Sequence, residues 1–322
     1  MPTVIVSAPL PGNAIDLLRK KNLKVIVGAS PYGFSDNELL SILRENPDTL
    51  AVLALLSNRM DKRLIENAPR LRVIANYAVG VDNIDLKACK RAGIVVTNTP
   101  GVLTEATADL TMALLLDACR NISRGDRLVR ADLWRGWSPN LLVGKRVFGA
   151  TLGIIGLGRI GSAVARRARG FHMKVLYHQR HRADEQIERS LGATWMALDD
   201  LLEASDIVTL HCPLTDQTRR MLNRARLAKM KREAVIVNTA RGACIDEPAL
   251  IEALESGHIH AAGLDVYEHE PDVSLALRSL PNVSLAPHLG SADEQTRARM
   301  AQMCAESILT VLGDGEPANR VV

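Results

Sequence analysis

The chain has 322 residues, is 47% hydrophobic and 24% charged, and carries a formal net charge of +4 with the signs mixed along its length. That length predicts two domains with sizeable cores. No Lys/Arg run interleaved with aromatics marks a nucleic-acid surface, and no apolar run approaches the roughly 18 residues of a membrane span. The cysteines Cys89, Cys119, Cys212, Cys244 and Cys304 are scattered, odd in number and without CxxC spacing. This pattern argues against a disulfide framework or a zinc site and suits a reducing cytoplasm, while MPTVIVSAPL does not read as a secretory leader. The expected location is cytoplasmic, with no metal, nucleic-acid or membrane partner.

In chain order, TVIVSA (3–8), VIVG (25–28), AVLALL (51–56), LRVIAN (71–76) and IVVTN (94–98) read as buried strands, with capped helical segments between them. A continuous helical stretch is expected over 104–129, followed by an irregular segment with Trp134, Trp137 and Pro139. A second series then opens at TLGIIG (151–156) and continues through KVLYH (174–178), DIVTLH (206–211), AVIVNT (234–239), AAGLDV (261–266) and NVSLAP (282–287). A last amphipathic helix is expected over about 293–312. Such β-α-β alternation predicts α/β architecture with two doubly wound parallel-sheet domains.

The segment TLGIIGLGRIGSAVARRARGF fits G-x-G-x-x-G at Gly156, Gly158 and Gly161, with an apolar strand before it and an amphipathic helix after it. In that context the first glycine makes the turn, the second lets backbone approach a pyrophosphate, and the third permits close helix–strand packing. Arg159 and Ile160 then sit at the helix N-terminus, which attracts phosphate. A dinucleotide site of this kind expects an acidic ribose ligand about 20 residues on. Gln179, Arg180, His181 and Arg182 stand there instead. Loss of the acid and gain of guanidinium groups suits a 2′-phosphate, so NADP(H) is favoured over NAD(H).

Arg241, Glu270 and His288 each follow a predicted strand of the second series. A guanidinium can grip a carboxylate bidentately, an imidazolium can protonate a carbonyl oxygen, and a carboxylate on the other ring nitrogen can orient the imidazole. These are the parts needed to reduce a 2-keto acid. The pair His258 and His260 lacks a third metal ligand and reads as a helix-to-strand connection.

The motifs NYAVGVDNIDL (76–86), TPGVLTEATADL (99–110), LGIIGLGRIG (152–161), NTARGACIDEPAL (238–250), GLDVYEHEP (263–271) and APHLGSA (286–292) resemble the D-2-hydroxyacid dehydrogenases, above all the glyoxylate/hydroxypyruvate reductases. The resemblance implies that Arg241, Glu270 and His288 are catalytic. It implies that the Val79 and Gly80 amides bind the substrate carboxylate, that Leu55 and Ser57 line the substrate site, and that Thr104 lies near the nicotinamide. Cys212, Pro213, Thr218, Thr239, Ala240, Asp265, His288 and Gly290 would complete the cofactor site, with Asp265 at the carboxamide end. It also implies a discontinuous substrate-binding domain (1–98 and 291–322), a Rossmann domain (99–290) inserted into it, and an active site in the cleft. A homodimer would form through about 104–147, with Trp137 a candidate to enter the partner's site.

Within this frame the substrate could instead be 2-ketogluconate, a D-lactate-like acid or phosphoglycerate. Phosphite is disfavoured because Ala78-Val79-Gly80 lacks the lysine of phosphite dehydrogenases. A dinucleotide-sensing corepressor is the remote alternative from another class.

Overall fold

The computed structural model describes residues 1–322. The chain divides into two compact units, Met1–Leu103 with Ser291–Val322, and Thr104–Gly290.

In the first unit, β1 (Thr3–Val6), β2 (Lys24–Val27), β3 (Thr49–Ala54), β4 (Val73–Asn76) and β5 (Val95–Thr97) form an all-parallel sheet of order β2-β1-β3-β4-β5. Strands β1 and β4 are buried throughout, as a sheet covered on both faces requires. The connecting helices are α1 (Ala14–Arg19), α2 (Asp36–Glu45), α3 (Lys62–Glu66) and α4 (Leu86–Ala92). Their starts are set by side chains: Ser35 and Glu38 make a capping box on α2, and Asp61 and Asp85 cap α3 and α4. The C-terminal helix Glu294–Leu312 returns to this unit, seating Ala301, Cys304, Ala305 and Ile308 against Val4, Val6, Leu53 and Val73.

The second unit opens with α5 (Thr104–Arg120) and α6 (Ile122–Arg130). Where one helix was expected over 104–129, the chain breaks at Asn121, which sits in the left-handed region with φ 57°. Asn tolerates that conformation better than most residues. The Ser123 N–H donates to the Asp117 carboxylate (2.7 Å) and the Cys119 carbonyl accepts from the Lys145 N–H (2.7 Å), so the N–H and carbonyl that would pair in a continuous helix are both engaged elsewhere.

Beyond α6 come β6 (Thr151–Ile155), α7 (Arg159–Gly170), β7 (Lys174–His178), α8 (Glu185–Leu191), β8 (Ala193–Trp195) and α9 (Leu198–Ala204). They are followed by β9 (Ile207–Leu210), α10 (Arg224–Lys229), β10 (Ala234–Asn238), α11 (Glu247–Glu255), β11 (Ile259–Leu264), α12 (Leu275–Ser279) and β12 (Val283–Leu285). The seven strands are parallel, in the order β12-β11-β10-β9-β6-β7-β8. Strand β8 was not anticipated: it has only three residues, too few to show alternation. Residues 99–103 fall with the first unit, where the Thr99 N–H donates to the Ala78 carbonyl (3.0 Å).

The chain direction across the second sheet reverses between β6 and β9, which places a crevice at their carboxyl ends. Helix α5 packs beside it with Thr107, Ala108, Thr111 and Leu115 buried. An ion-pair network holds α7 to α5: Arg167 reaches Asp109 (2.7 Å) and Glu105 (2.8 Å), and Arg166 reaches Glu105 (2.8 Å).

Candidate active site

The carboxyl edge of the second sheet carries nearly all of the polar groups singled out in that unit. Along the strand order, His288 follows β12, Glu270 follows β11, Arg241 follows β10, Cys212 follows β9, Gly156 follows β6 and Gln179 follows β7.

The three loop glycines do different work. Gly156 has φ 98°, and a Cβ built on it would lie 2.9 Å from the backbone of His211 and Cys212, so only glycine fits where β6 and β9 part. A Cβ on Gly161 would lie 2.1 Å from the Gly156 carbonyl oxygen, which fixes α7 tightly against the end of β6. Gly158 differs from both, because a Cβ there would meet nothing within 4 Å. Internal packing does not demand this glycine, but a diphosphate lying on the backbone would. Gly158 is also the N-cap of α7 and offers no capping side chain, so the first-turn N–H groups are left for an outside anion. The residues present therefore fit a dinucleotide.

Beyond β7 the chain is tied back to this loop. The Gln179 side-chain oxygen accepts from the Leu157 N–H (3.1 Å), and the Gln179 carbonyl accepts from the Trp195 indole (3.2 Å). Arg180 is exposed and makes no hydrogen bond or ion pair, whereas Arg182 forms a two-pronged bridge to Glu188 (2.8 and 2.7 Å). Thr218 closes the turn after β9 by donating to the Pro213 carbonyl (2.7 Å). The Cys212 and Cys244 sulfurs are 4.0 Å apart, and this contact together with burial pushes the Cys212 thiol far up, so it stays protonated. Burial likewise pushes the His211 imidazole down to about 3, leaving a neutral ring beside the Gly156 turn.

His288 Nδ1 lies 2.7 Å from Glu270 Oε2, with both side chains about three-tenths exposed (28% and 29%). An ionised carboxylate is acceptor-only, so Nδ1 carries the hydrogen and Nε2 is the nitrogen available to a ligand. The other Glu270 oxygen accepts from the Tyr267 N–H (3.0 Å), and the Tyr267 hydroxyl donates to the Ala286 carbonyl (2.9 Å). The loops carrying acid and imidazole are thus held to each other.

His288 itself has φ 55°, a left-handed conformation unusual for a histidine. Asp265 stabilises it. Its carbonyl accepts from the His288 N–H (3.0 Å), and its two carboxylate oxygens accept from the N–H groups of Leu289 (2.6 Å) and Gly290 (2.8 Å). Burial raises the Asp265 pKa, and these two N–H bonds oppose that rise. The carboxylate expected near the nicotinamide carboxamide is therefore also the anchor of the His288 turn. Thr107 donates to the Gly290 carbonyl (2.9 Å), and Thr111 pairs with Thr239 (2.9 Å), fixing the same edge to α5 at the helix that Thr104 begins.

Arg241 precedes a 3-10 turn, Gly242–Cys244, and its Nη1 donates to the Ala240 carbonyl (2.7 Å). Asn238 clamps this corner by accepting from the Ala240 N–H (3.0 Å) and donating to the Arg241 carbonyl (2.9 Å). A Cβ on Gly242 would fall 1.9 Å from the Tyr267 carbonyl carbon, so the Arg241 turn packs directly on the chain leading to Glu270. Sequence reasoning missed Gly242 and Tyr267; both stand inside recognised motifs, but neither bears reactive chemistry.

In the first unit, the carbonyls of Val79 and Gly80 accept from the side-chain amides of Asn98 and Asn76 (2.7 Å each). Their own N–H groups have no acceptor in the chain. Leu55 is half-buried and Ser57 exposed in the turn after β3, where the Leu55 N–H donates to Asn58 (2.9 Å).

The family model of the D-isomer specific 2-hydroxyacid dehydrogenase NAD-binding domain matches residues 112–290. A glyoxylate reductase of Pyrococcus horikoshii is 48% identical over 272 residues, covering 83% of this chain and 81% of the relative. A solved Thermus thermophilus protein superposes with a TM-score of 0.91 at 46% identity, covering 99% of this chain and 100% of that one. An NADPH-dependent glyoxylate/hydroxypyruvate reductase of Sinorhizobium meliloti, solved with NADP and malonate, gives 0.88 at 32% identity over 100% of this chain and 97% of its own. The chain belongs to the D-isomer specific 2-hydroxyacid dehydrogenase family. It is an oxidoreductase with a Rossmann domain for a nicotinamide dinucleotide. No helix is long and apolar enough to cross a membrane.

Proposed function

We propose that this enzyme reduces a small 2-keto acid, glyoxylate or hydroxypyruvate, to the D-2-hydroxy acid, reversibly and with NADP(H) as the preferred cofactor. The single observation that carries the chemistry is the Glu270–His288 pair at 2.7 Å, at the carboxyl edge that also bears Arg241 and the glycine loop. The names of the Pyrococcus and Sinorhizobium proteins support the choice of substrate.

The dinucleotide would be held by Gly156, Gly158, Arg159, Ile160 and Gly161, by Cys212, Pro213 and Thr218, and by Thr104, Thr239, Ala240, Asp265 and Gly290. When bound it supplies the hydride. His288 gives a proton from Nε2 to the substrate carbonyl oxygen in reduction and takes it back in oxidation, while Glu270 fixes the ring and balances its charge. Arg241 grips the substrate carboxylate, and the Val79 and Gly80 N–H groups offer a second set of donors to it. Leu55 and Ser57 contribute to side-chain selection.

Arg180 is the residue proposed to read the adenosine 2′-phosphate. We further propose a homodimer formed through 104–147, with Trp137 reaching the partner's site. The segment supports this by what it exposes: α6 buries no residue, and Trp134 and Trp137 are 52% and 84% exposed.

The test is kcat/KM for a panel of 2-keto acids with NADPH and with NADH. Glyoxylate and hydroxypyruvate with NADPH are expected to lead it. Leadership by a branched or aromatic keto acid, or by NADH, would overturn the substrate or the cofactor assignment respectively.

A further inference from the structure

Two arginines follow β7, and the charge pattern alone makes them equivalent candidates for the 2′-phosphate. Their surroundings are not equivalent. Arg182 donates through Nε and Nη2 to both oxygens of Glu188 on α8 (2.8 and 2.7 Å). Glu188 is 7% exposed, and it also accepts from the hydroxyl of the fully buried Tyr177 (2.5 Å). That hydroxyl in turn accepts from the Ala183 N–H (2.9 Å). The Arg182 guanidinium, followed by the Tyr177 hydroxyl, holds the Glu188 carboxyl down at about 2, so it is ionised wherever the enzyme works. A bidentate bridge to a carboxylate already satisfied on its far side leaves Arg182 little reason to turn to another anion.

The turn is therefore pinned at both ends. Gln179 is held by Leu157 and Trp195 at one end, and Ala183 and Arg182 by Tyr177 and Glu188 at the other. Between them, Arg180 and His181 are exposed and make no hydrogen bond or ion pair.

We infer that Tyr177, Glu188 and Arg182 form an internal latch whose role is to present Arg180 to the cofactor's 2′-phosphate, so that Arg182 is a positioning residue rather than a phosphate ligand. This rests on the proposed NADP(H) preference. It divides the two arginines by function: one contributes charge to the ligand, the other fixes where that charge sits. Selectivity between the two dinucleotides then depends on a buried carboxylate that never touches either.

The test is a mutant cycle scored as kcat/KM for NADPH and for NADH at fixed salt. Arg180→Met should lower the NADPH value about 30-fold, the worth of a charged hydrogen bond, and leave NADH within about twofold. Arg182→Met and Glu188→Gln should each lower the NADPH value about fivefold through KM, with kcat unchanged. In the Arg180→Met background neither should cost anything further, because Arg182 acts only through Arg180. Tyr177→Phe, which removes only the hydroxyl, should shift selectivity the same way, and thermal melts of all variants separate this from loss of fold.

The latch is overturned if Arg182→Met and Arg180→Met losses multiply in the double variant. It is also overturned if Glu188→Gln raises NADPH selectivity by releasing Arg182 to the phosphate. A wild-type preference for NADH would instead overturn the cofactor assignment beneath it, and that result is read before any variant is made.

Discussion

At the scale of single residues, positions that look alike in the sequence separate once their surroundings are known. Gly158 and Gly161 belong to one motif, yet the first faces open space and the second faces the Gly156 carbonyl at 2.1 Å. Gly158→Ala is therefore expected to fold with an unchanged melting temperature and to weaken NADPH binding at least tenfold. Gly161→Ala is expected to lose about 3 kcal/mol or more of stability, since backbone lies where its methyl would go. Equal melting temperatures for the two variants, measured by circular dichroism, would refute this division. The motif was legible because glycine spacing after an apolar strand reports a backbone requirement directly. The special conformation of His288 was not legible. Its φ of 55° is held by hydrogen bonds to Asp265, far back along the chain, and no local pattern encodes that pairing.

At the scale of elements, strands were read more readily than the boundaries of helices. Each expected strand overlaps an observed one, because a parallel strand covered on both faces is a continuous apolar run. Strand β8 escaped notice because three residues carry no period, and the break at Asn121 escaped because Asp117, Ser123 and the returning Lys145 create it through tertiary contacts. Beyond that break α6 buries no residue, and Ile122, Val129, Leu133 and Val143 are exposed along with the two tryptophans. If these residues form the dimer contact, Val129→Glu with Leu133→Glu should convert the enzyme to a monomer in sedimentation while far-UV dichroism stays unchanged. A double variant that still sediments as a dimer would place the interface elsewhere, and a monomeric wild type would remove it.

At the scale of the whole molecule, both units repeat one solution, a parallel sheet with the proposed ligand-binding groups at carboxyl ends. The second unit spreads the candidate groups along its edge, from the histidine and its acid after β12 and β11 to Arg180, the proposed 2′-phosphate reader, after β7. Fold class and the identities of the chemical groups were legible because each strand announces itself locally. Their mutual geometry was not, since it depends on packing such as Gly242 against Tyr267. The proposed function stands or falls on whether His288, oriented by Glu270, moves the proton that accompanies hydride transfer. NADPH affinity and glyoxylate turnover, measured together in His288→Asn, decide it, because asparagine tolerates the left-handed backbone. The expected result is a Kd for NADPH within a fewfold of wild type and a kcat lowered about a thousandfold. A kcat within tenfold of wild type, with binding intact, would contradict that role for His288.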